Sequence, residues 1–246
     1  MQKDRYFLYN QDCLDLLTVL GEESVDLIVT DPPFGVNYKN NFYNDSQDFV
    51  QQESKKWLKE MYRVLKTNSH CYIFTGTKSL GFWLNNIQEA GFEFNNIINL
   101  PSYCNGSYVK NNFAFRSDYI LYLSKGKAKD LNKFDFIKTS NSWLNDKRNA
   151  KKQEYTYNYP NLWESIFSNT KASTKKLLHP NQKNQKLLEI LIKLSSNEND
   201  IVLDCFAGSF STGLASLNTN RKFIGCEKDV DYFKQGRINL KKVLDN

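Results

Sequence analysis

The residues best suited to chemistry follow a short apolar run, Val25–Val29, and have the sequence Thr30-Asp31-Pro32-Pro33-Phe34. A run of this length, rich in β-branched residues and closed by proline, predicts a buried strand that ends abruptly. The two prolines restrict φ and cannot donate backbone hydrogen bonds, so the turn is stiff. An acid and an aromatic ring are thereby held where α/β sheets place their ligands. Taken alone, the tetrapeptide is equally consistent with a turn that only ends a strand.

A second candidate site lies near the carboxyl end of the chain, where the run Ile201–Gly208 precedes a helical pattern. Strand, tight turn and helix N-terminus form the unit that holds nucleotide-like ligands. Gly208 allows a ligand to approach the backbone. Glu227 ends the following strand, where an acid can accept hydrogen bonds from ribose hydroxyls. The alternative is a glycine turn that only packs a helix on a strand.

The run Phe206–Ser211 does not satisfy G-x-G-x-x-G, because Ser or Phe stands at the second glycine. That glycine admits a pyrophosphate, so the sequence disfavours NAD and FAD. A ribosylated ligand without pyrophosphate remains, and S-adenosylmethionine fits this description.

Composition predicts an ordinary globular protein of 246 residues, with 40% hydrophobic and 24% charged residues. The polar start, Met1–Arg5, has no apolar segment behind it, and no apolar run approaches the roughly 18 residues of a membrane span. Five cysteines form no CxxC pair, and four of them lie inside or beside strand-like runs. We therefore expect reduced thiols and a cytoplasmic location. With only His70 and His179, we expect no metal site.

Positive charge is concentrated in one stretch of the chain. Lys125–Lys186 contains thirteen Lys and one Arg against five acidic residues, whereas the whole molecule carries a net charge of +6. Tyrosines and tryptophans are interleaved with these lysines, which is the pattern of a polyanion-binding surface. A merely solvated lysine-rich surface is the alternative.

Hydrophobic periodicity predicts strands that alternate with helices. Strands are expected at 5–10, 25–30, 71–75, 92–100, 118–123, 200–204 and 222–227, and helices at 14–20, 49–66, 80–90, 182–194, 212–218 and 230–243. Such alternation predicts a mostly parallel sheet covered on both faces. Periodicity is lost between Ser124 and Leu178, which indicates an inserted region or long loops.

Together, the two motifs resemble those of amino-methylating DNA methyltransferases, whose signatures are (D/N/S)PP(Y/F) and FxGxG. Asp31–Phe34 matches the first signature and Phe206–Phe210 the second, with Phe210 in place of its last glycine. The DPPF motif comes first and the cofactor motif last, as in the β group of these enzymes. Tyr9–Leu14, Leu58–Lys66 and His179–Lys183 resemble three further family segments.

The resemblance implies a circularly permuted, Rossmann-like α/β methyltransferase fold with a seven-stranded, mostly parallel sheet. It implies a catalytic domain of residues 1–124 and 179–246 and a basic target-recognition region of residues 125–178. The implied cofactor is S-adenosylmethionine. The implied acceptor site consists of Asp31, Pro32, Pro33 and Phe34. The implied cofactor contacts are Asp12, Cys13, Asp31, His179, Asn181, Gln182, Lys183, Asp204, Phe206, Ala207, Gly208, Ser209, Ser211 and Glu227.

The function implied is adenine-N6 methylation of double-stranded DNA in a restriction-modification type of system, with direct transfer to a flipped-out base. A cognate restriction endonuclease and a homodimer are the other partners that the resemblance suggests. Asp at position 31 favours adenine, and a cytosine-N4 enzyme is the alternative. Phe210 raises a further alternative, a weak or inactive DNA-binding homologue, because a bulky residue there is expected to disturb the cofactor side of the turn. Asn184, where the family has proline, costs only rigidity.

Overall fold

The structure is a computed structural model, and it describes residues 5–37, 44–101, 117–132 and 183–244. The chain divides into two compact units, residues 1–132 with 178–246, and residues 133–177. The described residues belong to the first unit, and the second unit lies outside them. The predicted recognition region, 125–178, therefore falls mostly outside them as well.

Seven strands and six helices make up the described part of the chain. The strands are β1 (Tyr6–Tyr9), β2 (Val25–Thr30), β3 (Leu65–Gly76), β4 (Glu93–Pro101), β5 (Ser117–Ser124), β6 (Ile201–Asp204) and β7 (Lys222–Cys226). The helices are α1 (Cys13–Val19), α2 (Gln47–Val64), α3 (Leu80–Ala90), α4 (Gln185–Ser195), α5 (Ser211–Asn218) and α6 (Val230–Leu244).

The strands form one sheet in the order β1-β7-β6-β2-β3-β5-β4. Strands β1, β7, β6, β2 and β3 are parallel, whereas β5 runs antiparallel to both β3 and β4. The mostly parallel, seven-stranded sheet is thus confirmed. Strands β2 and β6 are neighbours although more than 170 residues separate them, with Leu27 aligned to Val202 and Ile28 to Leu203. Because parallel neighbours end at the same edge, this pairing places the two candidate motifs side by side.

The helices pack in two groups, in which α1 and α3 each contact α2, and α4 and α6 each contact α5. The largest apolar cluster joins the first group to the sheet and includes the fully buried Leu58, Trp83 and Ile28. A second, smaller cluster surrounds Phe210 and Phe223. Gly91 ends α3 with φ of +92°, as the sequence predicts for a glycine C-cap.

Predicted and observed boundaries differ most between α2 and β3. The helix was expected to reach residue 66 and the next strand to begin at 71, but α2 ends at Val64 and β3 begins at Leu65. Leu65 pairs with Val25, and an irregularity follows before His70 aligns with Leu27. Asn68, with φ of +63°, lies in this bulge, and its backbone N–H donates a hydrogen bond to the Lys125 carbonyl at 2.7 Å. A tertiary pairing therefore overrides the local pattern, which is polar here.

Among the described residues, no helix is both long enough and apolar enough to span a membrane.

Candidate active site

Asp31 follows the last residue of β2 and carries the first polar group beyond this strand end. Its Oδ2 lies 3.0 Å from the Nζ of Lys183, and only about a quarter of each side chain is exposed, 25% for Asp31 and 22% for Lys183. The carboxylate predicted to accept an amino group thus already contacts an amine, the ammonium of the chain's own lysine.

Two aromatic rings flank this ion pair. The Nζ of Lys183 lies 5.4 Å from the ring centre of Phe34 and 5.0 Å from that of Phe74 on β3. Ring faces at such distances attract cations. Phe34 in turn lies against Gly76 at the end of β3, where an added Cβ would be 3.2 Å from the ring. The site therefore combines a carboxylate with aromatic faces, an arrangement suited to a nitrogen-bearing planar group.

Asp204 ends β6, the strand next to β2, and is buried with 3% of its surface exposed. Its Oδ1 accepts hydrogen bonds from the Thr30 hydroxyl at 2.8 Å and from the Phe206 backbone N–H at 3.1 Å. Burial raises the pKa of Asp204 to about 6, although hydrogen bonds to Thr212 and Thr30 oppose the increase. This carboxylate joins the end of the DPPF strand to the turn of the second motif.

The turn after β6 leaves open space above Gly208. This residue has φ of +50°, and an added Cβ would meet no atom of the described residues within 4 Å. Its N–H donates to Glu227 Oε2 at 2.8 Å, and the Asp229 N–H donates to Oε1 of the same carboxylate at 2.8 Å. Burial raises the pKa of Glu227, while these backbone hydrogen bonds lower it. The Glu227 carboxylate is thus held in a fixed position beside the open space above Gly208.

Asp12 lies just before α1 and caps this helix by accepting a hydrogen bond from the Leu14 N–H at 3.0 Å. It also pairs with Lys228, next to Glu227, at 3.0 Å. Although burial raises the pKa of Asp12, the hydrogen bonds from Leu14 and Lys228 outweigh it, and the pKa lies below its usual range. Cys13 is buried, and burial raises the pKa of its thiol, so it packs as an inert side chain.

The remaining residues of the second motif serve mainly to hold the turn. Phe206 packs edge-on against Trp57, with ring centres 4.9 Å apart. The Ala207 N–H donates to the Cys226 carbonyl at 2.9 Å, and the hydroxyls of Ser209 and Ser211 lie 3.0 Å apart at the start of α5.

Phe210 adopts the left-handed conformation, with φ of +59°, in which a glycine is normally favoured. Its ring is 1% exposed and makes edge contacts with Phe223 on β7 and Phe233 on α6. Gly236 of α6 leaves room for this ring, since an added Cβ there would lie 2.0 Å from it. The side chain of Phe210 therefore lies in the core and not above Gly208, while its effect on cofactor binding stays a prediction.

Comparison with known proteins decides the family. Residues 25–237 match the N6/N4 methyltransferase family described as "DNA methylase". The chain belongs to the N6/N4 DNA methylase family. The Type II methyltransferase M.HpaI of Haemophilus parainfluenzae is 32% identical over 233 residues, which is 93% of this methylase and 72% of that protein. DNA adenine methyltransferase YhdJ of Escherichia coli K12 is 32% identical over 241 residues, 93% of this chain and 80% of YhdJ.

Solved structures agree with this assignment. The crystal structure of the M1.HpyAVI–SAM complex superposes with a TM-score of 0.64 at 25% identity, covering 96% of the methylase and all of that chain. The cytosine-N4-specific PvuII DNA methyltransferase reaches the same TM-score at 20% identity, covering 98% of this chain and 90% of that one, and shows the fold alone.

S-adenosylmethionine is the cofactor of this methylase, and the described residues fit it. The open space above Gly208 admits a ligand against the backbone, and the Glu227 carboxylate beside it retains lone pairs for hydroxyl donors. Three predicted cofactor residues, His179, Asn181 and Gln182, lie outside the described residues. The individual cofactor contacts stay predictions.

Two neighbouring residues have positions that the sequence did not indicate. Lys183, predicted to line the cofactor, lies on Asp31 of the acceptor motif. Asn184 caps α4, with its Oδ1 accepting from the Lys186 and Leu187 N–H groups at 3.0 and 3.4 Å. The loss of the family's proline is thus offset by a side-chain cap.

The sequence assigned no role to Thr30 or Lys228, which contact Asp204 and Asp12. Thr30 is adjacent to Asp31 and Lys228 is adjacent to Glu227, so their positions next to the predicted site residues could have indicated a role. Phe74 and Gly76, at the end of β3, are adjacent to neither motif in the sequence. The pattern around them predicts only a buried strand.

Proposed function

We propose that this methylase is a site-specific DNA adenine-N6 methyltransferase of a restriction-modification type of system. The observation that carries the proposal is the acceptor site, in which Asp31 holds an amine nitrogen at 3.0 Å with the ring of Phe34 beside it. In the proposed complex the adenine amino group takes the place of the Lys183 ammonium. The name of YhdJ, a DNA adenine methyltransferase, supports adenine as the base.

An exocyclic amino group is a poor nucleophile because its lone pair is delocalised into the ring. Asp31 and the Pro32 carbonyl each accept one N–H hydrogen bond, which localises the lone pair and aims it. S-adenosylmethionine, when bound, supplies a methyl group on a positively charged sulfur. The nitrogen would take this methyl group and S-adenosylhomocysteine would be the leaving group. The Asp31 carboxylate, which already accepts one of the amino N–H hydrogen bonds, would take up the surplus proton.

The target amino group is inaccessible inside a duplex, so the base must be flipped out. Phe34 offers a ring face for stacking on it. The stiff prolines keep Asp31 and Phe34 in a fixed relation, which reduces the entropy lost when the base arrives. Residues 125–178 are the proposed target-recognition region, on the strength of their lysines and aromatic residues. A cognate endonuclease, a homodimer and a cytoplasmic location belong to the same proposal.

The test is expression of the wild-type chain in a bacterial host free of DNA methylation, followed by long-read mapping of modified bases. We expect N6-methyladenine at one recurrent sequence, and none in cells that express Asp31→Ala. N4-methylcytosine instead would move the enzyme to the alternative base. Unmodified DNA despite folded, cofactor-binding protein would contradict the proposal and favour a silent DNA-binding homologue.

A further inference from the structure

A buried carboxylate lies directly behind the acceptor motif. Asp45 is 4% exposed, although it stands on the connection between β2 and α2. Its Oδ1 accepts the Gly35 N–H at 2.8 Å, and its Oδ2 accepts the Val36 N–H at 3.1 Å. Burial of a carboxylate costs free energy unless hydrogen bonds replace its contacts with water. The two consecutive backbone N–H groups provide one such bond to each oxygen of Asp45.

The position of this carboxylate matters because the two prolines restrain the backbone only as far as Phe34. The prolines restrain the backbone before that residue, but Gly35 has φ of +70° and no side chain to limit its motion. An added Cβ on Gly35 would lie 3.3 Å from Gln47 Cα and 3.3 Å from Val50 Cβ, so the chain here presses against the first turn of α2. The Asp45 side chain and this packing therefore hold the left-handed backbone that follows the motif.

A backbone hydrogen bond from the Asn37 N–H to the Asp45 carbonyl, 2.8 Å long, closes the same segment. Substitution of the side chain leaves this bond in place. The two carboxylate contacts can therefore be removed without opening the connection, which separates positioning of the motif from closure of the loop.

We propose that Asp45 is a positioning residue for methyl transfer, which acts through Gly35 and Val36 to fix Phe34 and the acceptor carboxylate. This inference rests on the proposed function, since it assigns Phe34 to the target base. Displacement of reacting groups by about 1 Å costs up to about a hundredfold in rate. Asp45 is expected to influence the rate of transfer and not the affinity for the cofactor, because the residues around Gly208 and Glu227 are held by other contacts.

The experiment uses a duplex that carries the recognition sequence mapped for the wild type. Single-turnover methylation, S-adenosylmethionine affinity and DNA affinity are measured for Asp45→Ala and Asp45→Asn. Asp200→Ala is the matched control, because Asp200 also accepts a backbone N–H in a turn, from Asn197 at 2.7 Å, but stands before β6. Asn retains the shape and one acceptor oxygen of Asp, so it keeps the test valid if the alanine variant does not fold.

We expect the rate of Asp45→Ala to fall about 10- to 100-fold, with both affinities within about twofold of the wild type and Asp45→Asn between the two. Rates of both variants equal to that of Asp200→Ala would overturn the inference, as would a parallel loss of cofactor affinity. A wild type that leaves adenine unmethylated contradicts the proposed function itself, whereas normal wild-type methylation with unaffected Asp45 variants overturns only this inference.

Discussion

Asp31 is the residue on which the proposed chemistry depends most directly. Replacement by alanine removes the carboxylate that localises the amino lone pair, and loss of one such electrostatic contact costs about 10²–10³-fold in rate. We predict at least this loss for Asp31→Ala, and a much smaller change in S-adenosylmethionine affinity, because the contacts that hold Gly208 and Glu227 remain. Transfer of labelled methyl groups to DNA measures the rate.

Asp48→Ala is a suitable control, because Asp48 is an exposed acid in the first turn of α2. The Asp48→Ala variant also loses one negative charge, but the acceptor site itself is unchanged. Methylation by Asp31→Ala at the rate of this control would refute the assigned role.

Phe210 departs from the family motif, and its ring is accommodated by packing against Phe223 and Phe233. Phe210→Gly removes a buried ring, and such truncations cost about 3–5 kcal/mol, of which glycine regains about 1 kcal/mol at a left-handed position. We predict a free energy of unfolding about 2–4 kcal/mol lower in urea titrations, without any gain in S-adenosylmethionine affinity by calorimetry. Tighter cofactor binding by Phe210→Gly would contradict the observed placement of the ring.

Gly236 provides an internal check on this prediction, since a Cβ there would overlap Phe210. Gly236→Ala alone should destabilise the protein, whereas in the Phe210→Gly background the same change should cost less. The double-mutant cycle is expected to give a coupling energy of about 0.5–3 kcal/mol.

At the scale of secondary-structure elements, the buried contact between Thr30 and Asp204 joins β2 to the end of β6. Thr30→Val keeps the shape but removes the hydroxyl donor, which leaves a buried carboxylate oxygen with one partner fewer. We predict a loss of about 1–3 kcal/mol in the free energy of unfolding, measured by urea denaturation. Thr30→Ser, which keeps the hydroxyl, is the control, and equal losses in the two variants would rule out this hydrogen bond as the cause.

Most elements follow from the sequence because their burial pattern is local. The β-branched run of β2 and the apolar stripe of α4 each predict their own element within a few residues. The start of β3 does not, because Leu65 joins the strand through pairing with Val25, a contact invisible to a local window. Lys183 shows the same limit at the site, since a flexible cation can reach any acid near it and only the fold selects Asp31.

His70 connects β3 to α4 and to the start of the basic stretch. Its Nδ1 lies 2.8 Å from the Ser195 hydroxyl, and its Nε2 lies 3.1 Å from both the Lys129 carbonyl and the Tyr122 hydroxyl. Burial, the largest cause, lowers the pKa of His70 from 6.5 to about 4. The folded protein therefore keeps this imidazole neutral at pH values where the unfolded chain protonates it.

Because the pKa of His70 is lowered on folding, the stability it contributes is lost as pH falls from 6.5 towards 4, by up to about 1.4 kcal/mol per pH unit. His70→Gln lacks this dependence. We predict that the difference in unfolding free energy between wild type and variant shrinks by about 1.5 kcal/mol between pH 6.5 and pH 5. Asp204, with its raised pKa, acts in the opposite sense but cancels in this comparison. A difference independent of pH would refute the prediction.

For the molecule as a whole, the order of the strands explains why two distant motifs form one site. The first motif follows β2 and the second follows β6, and these strands are adjacent in the sheet. Alternating strands and helices predict a parallel sheet, but they do not specify which strands are neighbours. The pairing of β2 with β6 in the structure supplies this missing information.

Charge is the whole-molecule property that should govern affinity for DNA. Each phosphate contact made by a lysine releases counterions, so the logarithm of the binding constant falls with the logarithm of salt by about 0.9 per contact. Lys151 and Lys152 stand in the proposed recognition region. We predict that replacing both with glutamine lowers the magnitude of the salt slope by about 1.8 and weakens binding to all sequences alike.

The matched control is the pair Lys55 and Lys56 on α2, changed in the same way. These lysines are exposed and lie 2.8 and 2.7 Å from Glu89 and Glu53, so their charge is already balanced within the protein. Because both double variants remove two positive charges, a general effect of net charge would alter the two salt slopes equally. Fluorescence anisotropy titrations between 50 and 200 mM salt, a range over which six or more contacts cost about 10³-fold or more in affinity, resolve the difference. A slope that changes equally in both variants would mean that the basic stretch acts only through overall charge.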